Sequence, residues 1–374
     1  MIRILIVEPN FYDNGAIRIS LDRASRWARL GAEVTVLVIF DEGNTGGVAV
    51  PPQVQLVIAN RRPRNGKQAL ATAILRGSRH ARRADVIVVG RELGAGVTAG
   101  RVLAMVTGRP LAITIQSDFE QSLQQHGTAE HRSRVLGAYR KAGLLVAVAN
   151  GLVDRLTSVG LPRNRIVVVQ NGVDVEAIQR KAELPSAIPL PPASFIMASG
   201  RLARQKGFDI LLRAHALALE RGCHHHLLIA GAGPDDEALK ELAAELGVTR
   251  TVNFAGLLAN PFPILQRAEL FVLASRWEGL PLVLIEAQVL GVPVIASDCV
   301  SGPRELLAEG QYGALVPVED VDVMAETIVG HFADPNLLKV KAYEAQAAAV
   351  SLRDADAAAK DHLGLLVGLA RQHL

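Results

Sequence analysis

The chain has 374 residues, 40 Lys plus Arg against 37 Asp plus Glu, a formal net charge of +3 and 49% hydrophobic residues. That balance excludes a disordered chain and a fibrous repeat, and its length fits two globular domains. With 33 Gly and only 4% aromatics beside many Val, Ile, Leu and Ala, the apolar mass suits parallel sheets covered by helices, so the expected class is α/β.

Met1 leads directly into Ile2–Glu8, an apolar run too short for the core of a secretory leader and better read as a first strand. Ile17, Leu21, Ala24, Trp27 and Ala28 then share one helical face, and Gly31 supplies a left-handed stop. Further strands are expected at Glu33–Ile39, Gln55–Ala59, Asp85–Val89, Leu111–Gln116, Leu144–Ala149 and Ile166–Gln170. Amphipathic stretches alternate with them, the pattern of a βαβ series.

Charge is unevenly spread along this half. Residues 1–180 hold 24 Lys plus Arg against 14 Asp plus Glu, a net +10 against −7 for the remainder. Between Arg61 and Arg109 eleven basic residues face two acids, Asp85 and Glu92. Such a field suits an anionic acceptor or peripheral contact with an anionic membrane; the bland alternative is a solvated face. No aromatics are interleaved with the basic residues, so nucleic acid is not an expected partner. Gly94, Gly96 and Gly100 imitate a dinucleotide fingerprint with the wrong spacing and are read as close helix packing.

Residues 184–194 are proline-rich and almost uncharged, the composition of a semi-rigid spacer. The expected organisation is therefore a first domain over 1–184, a linker over 185–194, a second domain over 195–354 and a final helix within 355–374. In the second domain, strands are expected at Phe195–Ser199, Leu227–Ala230, Val252–Ala255, Leu270–Ala274, Pro293–Ala296 and Ala314–Val316. Two doubly wound domains in tandem imply a cleft at the carboxyl ends of their strands. No run approaches the roughly 20 apolar residues of a membrane span. Two cysteines, Cys223 and Cys299, cannot build a disulfide framework, which points to a reducing, cytoplasmic location.

Two stretches carry chemistry. Gly200-Arg201-Leu202-Ala203-Arg204-Gln205-Lys206-Gly207 follows one strand and opens a helix, where Lys206 opposes the helix dipole; a rule broken at a strand's carboxyl end marks function. Arg201 and Lys206 together can neutralise a diphosphate. From Ser275 a loop carries Glu278, and a helix is expected from about Pro281 to Gly291, its free amides near Gly279 and Leu280 forming an anion site. Glu278 and Glu286 bracket that site, each able to accept bonds from sugar hydroxyls.

The motifs Gly200-Arg201-Leu202 with Gln205-Lys206-Gly207, Glu278 and Glu286 with seven residues between them, Gly231-Ala232-Gly233-Pro234, Asn171-Gly172-Val173-Asp174 and Gly291–Asp298 resemble the retaining glycosyltransferases of family 4, which have the GT-B fold. The resemblance implies transfer of a hexosyl or N-acetylhexosaminyl group from a nucleoside diphosphate sugar. It places Arg201 and Lys206 on the diphosphate, Glu286 on the ribose, and Glu278 with Gly279, Leu280 and Pro281 on the transferred sugar. It also implies a last helix that returns to the first domain. The base is expected against the loops holding Gly233, Leu257 and Leu258; uridine diphosphate sugars are the expected donors and guanosine diphosphate sugars the alternative. A nucleotide-sugar epimerase and a non-catalytic nucleotide-sugar-binding protein are the rival readings.

The first domain departs from that family. A single glycine, Gly15 after Asn14, stands where a pair is common, and no His ends the middle strand; Gln116-Ser117-Asp118 occupies the place, with His126 ten residues on. Asn14, Gln116, Ser117, Asp118, His126 and Asn171 are the expected contacts of the acceptor, a small molecule or a lipid-linked glycan. No cofactor is expected. Asp320-Val321-Asp322 and Asp354-Ala355-Asp356 read as helix caps and Cys223-His224-His225-His226 as a turn, so no metal is expected either.

Overall fold

A computed structural model of the chain describes residues 1–10, 15–41, 50–61, 65–192, 194–352 and 354–373. By their contacts these residues form two compact units, one of residues 1–172 with 355–374 and one of residues 173–354. Every strand read from the sequence is present. The first unit carries β1 (Arg3–Asn10), β2 (Glu33–Phe40), β3 (Val54–Ile58), β4 (Val86–Val89), β5 (Leu111–Ile115), β6 (Leu144–Ala147) and β7 (Ile166–Val168). They pair in the order β3-β2-β1-β4-β5-β6-β7, all parallel, with Ile6 beside both Val36 and Val88. β1 to β6 are near-continuous apolar runs because both faces of a parallel sheet are covered by helices.

The second unit carries β8 (Phe195–Ser199), β9 (His226–Ala230), β10 (Val252–Gly256), β11 (Leu270–Leu273), β12 (Val294–Ser297) and β13 (Ala314–Val316). Their order, β10-β9-β8-β11-β12-β13, again doubles back at the middle. In such sheets the point of reversal is where ligands bind, outside the strands' carboxyl ends. Here those points are β1/β4 and β8/β11. Each unit has its own core, one around Ile6, Trp27, Val36 and Val88 and the other around Ile196, Leu211, Leu227 and Val272.

The final helix, Ala355–Arg371, belongs to the first unit. The fully buried Trp27, on the first helix Gly15–Arg29, donates from Nε1 to the Ala359 carbonyl at 2.9 Å. It also meets His362 edge-on at 5.1 Å, and Arg26 pairs with Asp356 at 2.6 Å. Trp27→Phe removes that buried hydrogen bond to a helical carbonyl and leaves a gap, so it should destabilise the protein by about 1–3 kcal/mol. Limited proteolysis should then release the C-terminal helix sooner than in the wild type.

The proline-rich stretch does not coincide with the division between the units. The helix Val175–Ala182 packs on the helices Phe262–Leu265 and Leu282–Val289, which draws residues 173–192 into the second unit. Asp320 caps the helix Val321–Ala333 by accepting from the Val323 amide at 3.0 Å. Cys223 and His225 join His215, on the helix Phe208–Glu220, in a buried chain: Cys223 Sγ to His225 Nδ1 at 3.0 Å, His225 Nε2 to His215 Nδ1 at 3.1 Å, and His215 Nε2 to Thr251 Oγ1 at 2.9 Å. Thr251 Oγ1 donates onward to the Val248 carbonyl. Among the described residues no three His, Cys, Asp or Glu side chains are grouped to hold a metal ion, and no helix is long and apolar enough to cross a membrane.

Candidate functional site

Both motifs of the second unit lie at the β8/β11 switch point. β8 ends at Ser199, and Gly200–Gly207 runs through a short 3-10 turn, Arg204–Lys206, into the helix Phe208–Glu220. β11 ends at Leu273, and the loop after it leads to the helix Leu282–Val289. The two loops meet at an ion pair between two of the expected site residues: Lys206 Nζ lies 2.6 Å from Glu278 Oε1, which also accepts from Ser275 Oγ at 2.6 Å. The carboxylate is only 6% exposed and the ammonium 19%, so the low local dielectric makes each partner dependent on the other. The Lys206 stem packs over Gly200.

Arg201 is exposed, and no hydrogen bond or ion pair is made by its side chain among the described residues. The second helix starts at Leu282, one residue later than its sequence suggested, with Pro281 at the cap and no side chain capping it. The free first-turn amides of this helix are those of Leu282 and Val283, and Gly279 and Leu280 are buried in the loop that leads to it. Glu286 is half-buried one turn along the helix.

Residues that sequence reasoning passed over hold these loops in register. The Arg276 guanidinium forks onto Asp209 at 2.8 and 2.7 Å, reaches the Arg204 carbonyl at 2.8 Å and pairs with Glu319. Those anions hold it firmly protonated. Gln205 Nε2 donates to the Trp277 carbonyl at 3.0 Å, and Ser301 Oγ to the Glu278 carbonyl at 2.8 Å. Two glycines permit the approach, since a side chain would be both strained and obstructed there. At Gly207 (φ 62°) a Cβ would stand 2.0 Å from the Ala274 carbonyl oxygen, and at Gly302 (φ 87°) 2.3 Å from that of Gly279.

The expected base-binding loops are joined edge to edge: the Leu202 amide donates to the Ala232 carbonyl at 3.0 Å and the Gly231 amide to that of Gly256 at 2.8 Å. This brings Gly233 beside Leu202, while Leu257 is 63% exposed and Leu258 half-buried.

In the first unit, Gln116, Ser117 and Asn171 come together at the carboxyl edge. Glu92 accepts from the Gln116 amide at 3.0 Å and from Ser117 Oγ at 2.8 Å. Asn171 Nδ2 donates to Gln116 Oε1 at 3.2 Å, and the Arg23 guanidinium donates to Asn171 Oδ1 at 2.9 Å. Asp118 is engaged elsewhere: it caps the helix Phe119–His126 and pairs with Arg155 at 3.0 Å. Asn14 lies outside the described residues, Gly15 opens the first helix, and His126 closes the helix begun at Phe119.

Glu8, at the β1/β4 switch point, is fully buried, accepts from Ser20 Oγ and lies 3.4 Å from Arg91 Nε. Burial pushes its carboxyl up, partly offset by Arg91. Of the basic stretch, Lys67, Arg76, Arg79, Arg82 and Arg83 lie on the helix Gly66–Arg83, where all five are exposed; Arg62 and Arg64 lie outside the described residues.

Residues 14–177 match the family model described as Glycosyltransferase Family 4, and residues 193–334 match that described as Glycosyl transferases group 1. At 30% identity the chain is similar to an N-acetylgalactosamine-N,N'-diacetylbacillosaminyl-diphospho-undecaprenol 4-alpha-N-acetylgalactosaminyltransferase of Campylobacter jejuni, over 62% of this chain and 61% of that protein. At 27% identity it is similar to an alpha-D-kanosaminyltransferase of Streptomyces kanamyceticus, over 65% and 67%. The chain thus spans about two thirds or less of these curated relatives. A crystal structure of Anabaena HepE in complex with UDP and glucose superposes with a TM-score of 0.83 at 21% identity, covering 98% of this chain and 100% of that one. The chain has the two-domain α/β GT-B fold, and each of its two halves matches a glycosyltransferase family model.

Proposed function

We propose that this chain is a retaining glycosyltransferase that moves a hexosyl or N-acetylhexosaminyl group from a nucleoside diphosphate sugar, UDP-linked in preference to GDP-linked, to an acceptor hydroxyl. The observation that carries this reading is the Lys206–Glu278 pair at the β8/β11 switch point, beside the exposed Arg201 and the uncapped helix start at Leu282. In this reading Arg201 and Lys206 neutralise the diphosphate and Glu286 accepts from the ribose hydroxyls. Glu278 and the Gly279–Pro281 turn hold the transferred sugar, with Gly15, Gly200, Gly233, Leu257 and Leu258 as further donor contacts. A diphosphate arriving at Lys206 competes with Glu278 for the ammonium and frees the carboxylate for sugar hydroxyls.

The reaction needs no covalent enzyme intermediate. The acceptor oxygen bonds to the anomeric carbon on the face the diphosphate leaves, the carbon–phosphate oxygen bond breaks, and the hydroxyl proton passes to the leaving phosphate. HepE has been crystallised with UDP-glucose, which supports the choice of nucleotide. The acceptor is assigned to the first unit, at Gln116, Ser117 and Asn171, with Asn14, Asp118 and His126 kept from the sequence as further proposed contacts.

Two kinds of acceptor are proposed, a small soluble molecule and a lipid-linked glycan, the second suiting the diphospho-undecaprenol named for the Campylobacter jejuni relative. Nucleoside diphosphate release is to be measured on a panel of methyl hexosides, matched amino sugars, myo-inositol, 2-deoxystreptamine and an undecaprenyl-diphosphate-linked sugar. Release that requires an acceptor, with the donor's anomeric configuration kept in the product by proton NMR, is the expected result. An inverted product overturns retention; donor isomerised without acceptor indicates an epimerase; bound donor with no release indicates a binding protein. Sedimentation with anionic vesicles should show salt-sensitive binding if the basic helix Gly66–Arg83 meets a membrane, and its absence would favour the soluble acceptor.

A further inference from the structure

The acceptor reading above can be taken one step further at Gln116, because a buried cation sets the direction of the hydrogen bonds there. Arg23 is 9% exposed and Asn171 3%. Burial lowers the guanidinium to about 10, still charged at neutral pH. A guanidinium only donates, so the atom of Asn171 facing Arg23 at 2.9 Å must be the carbonyl oxygen. The Asn171 amide nitrogen is then turned toward Gln116, and the atom receiving it at 3.2 Å must be Oε1. The orientation of both amides, ordinarily ambiguous, follows from the chemistry of one residue.

Gln116 Nε2 is left as a buried donor with no partner among the described residues, at the carboxyl edge of β5. Its backbone is held by Glu92, whose carbonyl in turn accepts from the Tyr139 hydroxyl at 2.6 Å. An N–H removed from water and left unpaired is unfavourable, so the site is completed by a lone pair brought from outside.

We propose that Gln116 is a fixed hydrogen-bond donor to an oxygen of the acceptor, with Arg23 as the positioning residue that sets its polarity through Asn171. This rests on the transferase reading and narrows it. The group recognised is a hydroxyl, ether, carboxylate or phosphate oxygen, and an ammonium at that position is rejected, since it would meet a donor with donors. A hydroxyl held this way accepts through a lone pair and keeps its own O–H free to donate elsewhere, whereas one held by a carboxylate must donate its O–H to it.

Asn171→Asp reverses the polarity without removing the network. The new carboxylate accepts from Arg23 and repels Gln116 Oε1, so the Gln116 amide turns over and presents oxygen. In a side-chain 15N spectrum the Gln116 amide protons should then become hydrogen-bonded and exchange more slowly than in the wild type, with the melting temperature kept. An unchanged Gln116 signal overturns the proposal whether or not any acceptor has been found.

With the panel acceptor giving the fastest nucleotide release, Asn171→Asp and Gln116→Glu should each raise the acceptor KM roughly tenfold with a smaller change in kcat, the scale of one lost hydrogen bond. Arg23→Met should raise it as well, and Arg23→Lys should recover most of the loss. A lowered melting temperature in Arg23→Met with the acceptor KM untouched would make Arg23 merely structural and contradict the proposal.

Among matched probes, methyl glucoside should be preferred over methyl glucosaminide and myo-inositol over 2-deoxystreptamine, with the gap narrowed in Asn171→Asp; amine preference in the wild type is the opposing result. If no panel member is consumed by the wild type, the transferase reading fails, while the amide spectrum still decides the polarity.

Discussion

Lys206→Met is expected to lower kcat at least a hundredfold and also to lower the melting temperature, for two separable reasons. In the folded chain the ammonium neutralises Glu278, which is only 6% exposed. Removing one partner of a buried ion pair typically costs about 3–5 kcal/mol, discounted here because the ammonium end is partly solvated. In the proposed reaction the same ammonium meets charge that grows on the departing diphosphate, and losing one preorganised donor of this kind commonly lowers kcat by about 10²–10³.

The double variant Lys206→Met with Glu278→Gln distinguishes the two. It removes the stranded charge, so the melting temperature should recover toward the wild type while turnover stays low. If turnover recovered with stability, or if Lys206→Met changed only the donor KM, Lys206 would have no part in the transition state.

The second large effect is expected in acid. The buried chain from Cys223 through His225 and His215 to Thr251 has a single consistent proton arrangement. The thiol donates to His225 Nδ1, His225 Nε2–H to His215 Nδ1, His215 Nε2–H to Thr251, and Thr251 to the Val248 carbonyl. Each imidazole is neutral and its acceptor nitrogen is occupied. Burial holds His215 down to about 3 and His225 to about 4, and pushes the Cys223 thiol up, which keeps it a donor.

The folded state therefore binds fewer protons than the unfolded chain below about pH 6.5. The stability contributed by these two imidazoles is fully present above that value and is lost as pH falls toward 4 and then 3, by up to roughly 1.4 kcal/mol per imidazole for each tenfold rise in proton concentration. Urea unfolding of the wild type should show stability falling steeply between about pH 6.5 and pH 4. His215→Leu with His225→Leu should flatten that slope, though not remove it, because His362 and His331 are also held low by burial. An identical slope in the double variant would contradict the arrangement.

All thirteen strands were legible because each is a short β-branched or apolar run between turn residues, a signal that survives without knowledge of tertiary contacts. The proposed donor edge could be picked out for a similar reason: Arg201, Lys206, Glu278 and Glu286 lie in two local stretches whose residue types conflict with plain helix and loop rules. What held those stretches together was not legible. Arg276 finds Asp209 and Glu319 at separations of 67 and 43 residues, and nothing in either neighbourhood marks the pairing.

The first unit was harder, since its carboxyl edge is assembled from Arg23, Glu92, Gln116 and Asn171, one polar residue from each of four distant segments. Asp118 was expected at the acceptor because Gln116-Ser117-Asp118 stands where the family often carries a His; the structure shows it capping a helix and paired with Arg155, two roles that sequence alone did not mark. The proline-rich stretch marked a change of composition, but the division between the units follows the packing of the helix Val175–Ala182.

The central claim is that the carboxyl edge of β8 and β11 holds a nucleoside diphosphate, and titration calorimetry of UDP on the wild type and on Arg201→Ala tests it most directly. Arg201 is exposed and its side chain makes no bond within the described residues, so its removal should leave the melting temperature unchanged and report on the ligand alone. A charged hydrogen bond to phosphate contributes about 1.5–3 kcal/mol. UDP is expected to bind the wild type, and to bind Arg201→Ala at least roughly tenfold more weakly. No UDP binding by the wild type, or equal affinity in the two proteins, would contradict the claim.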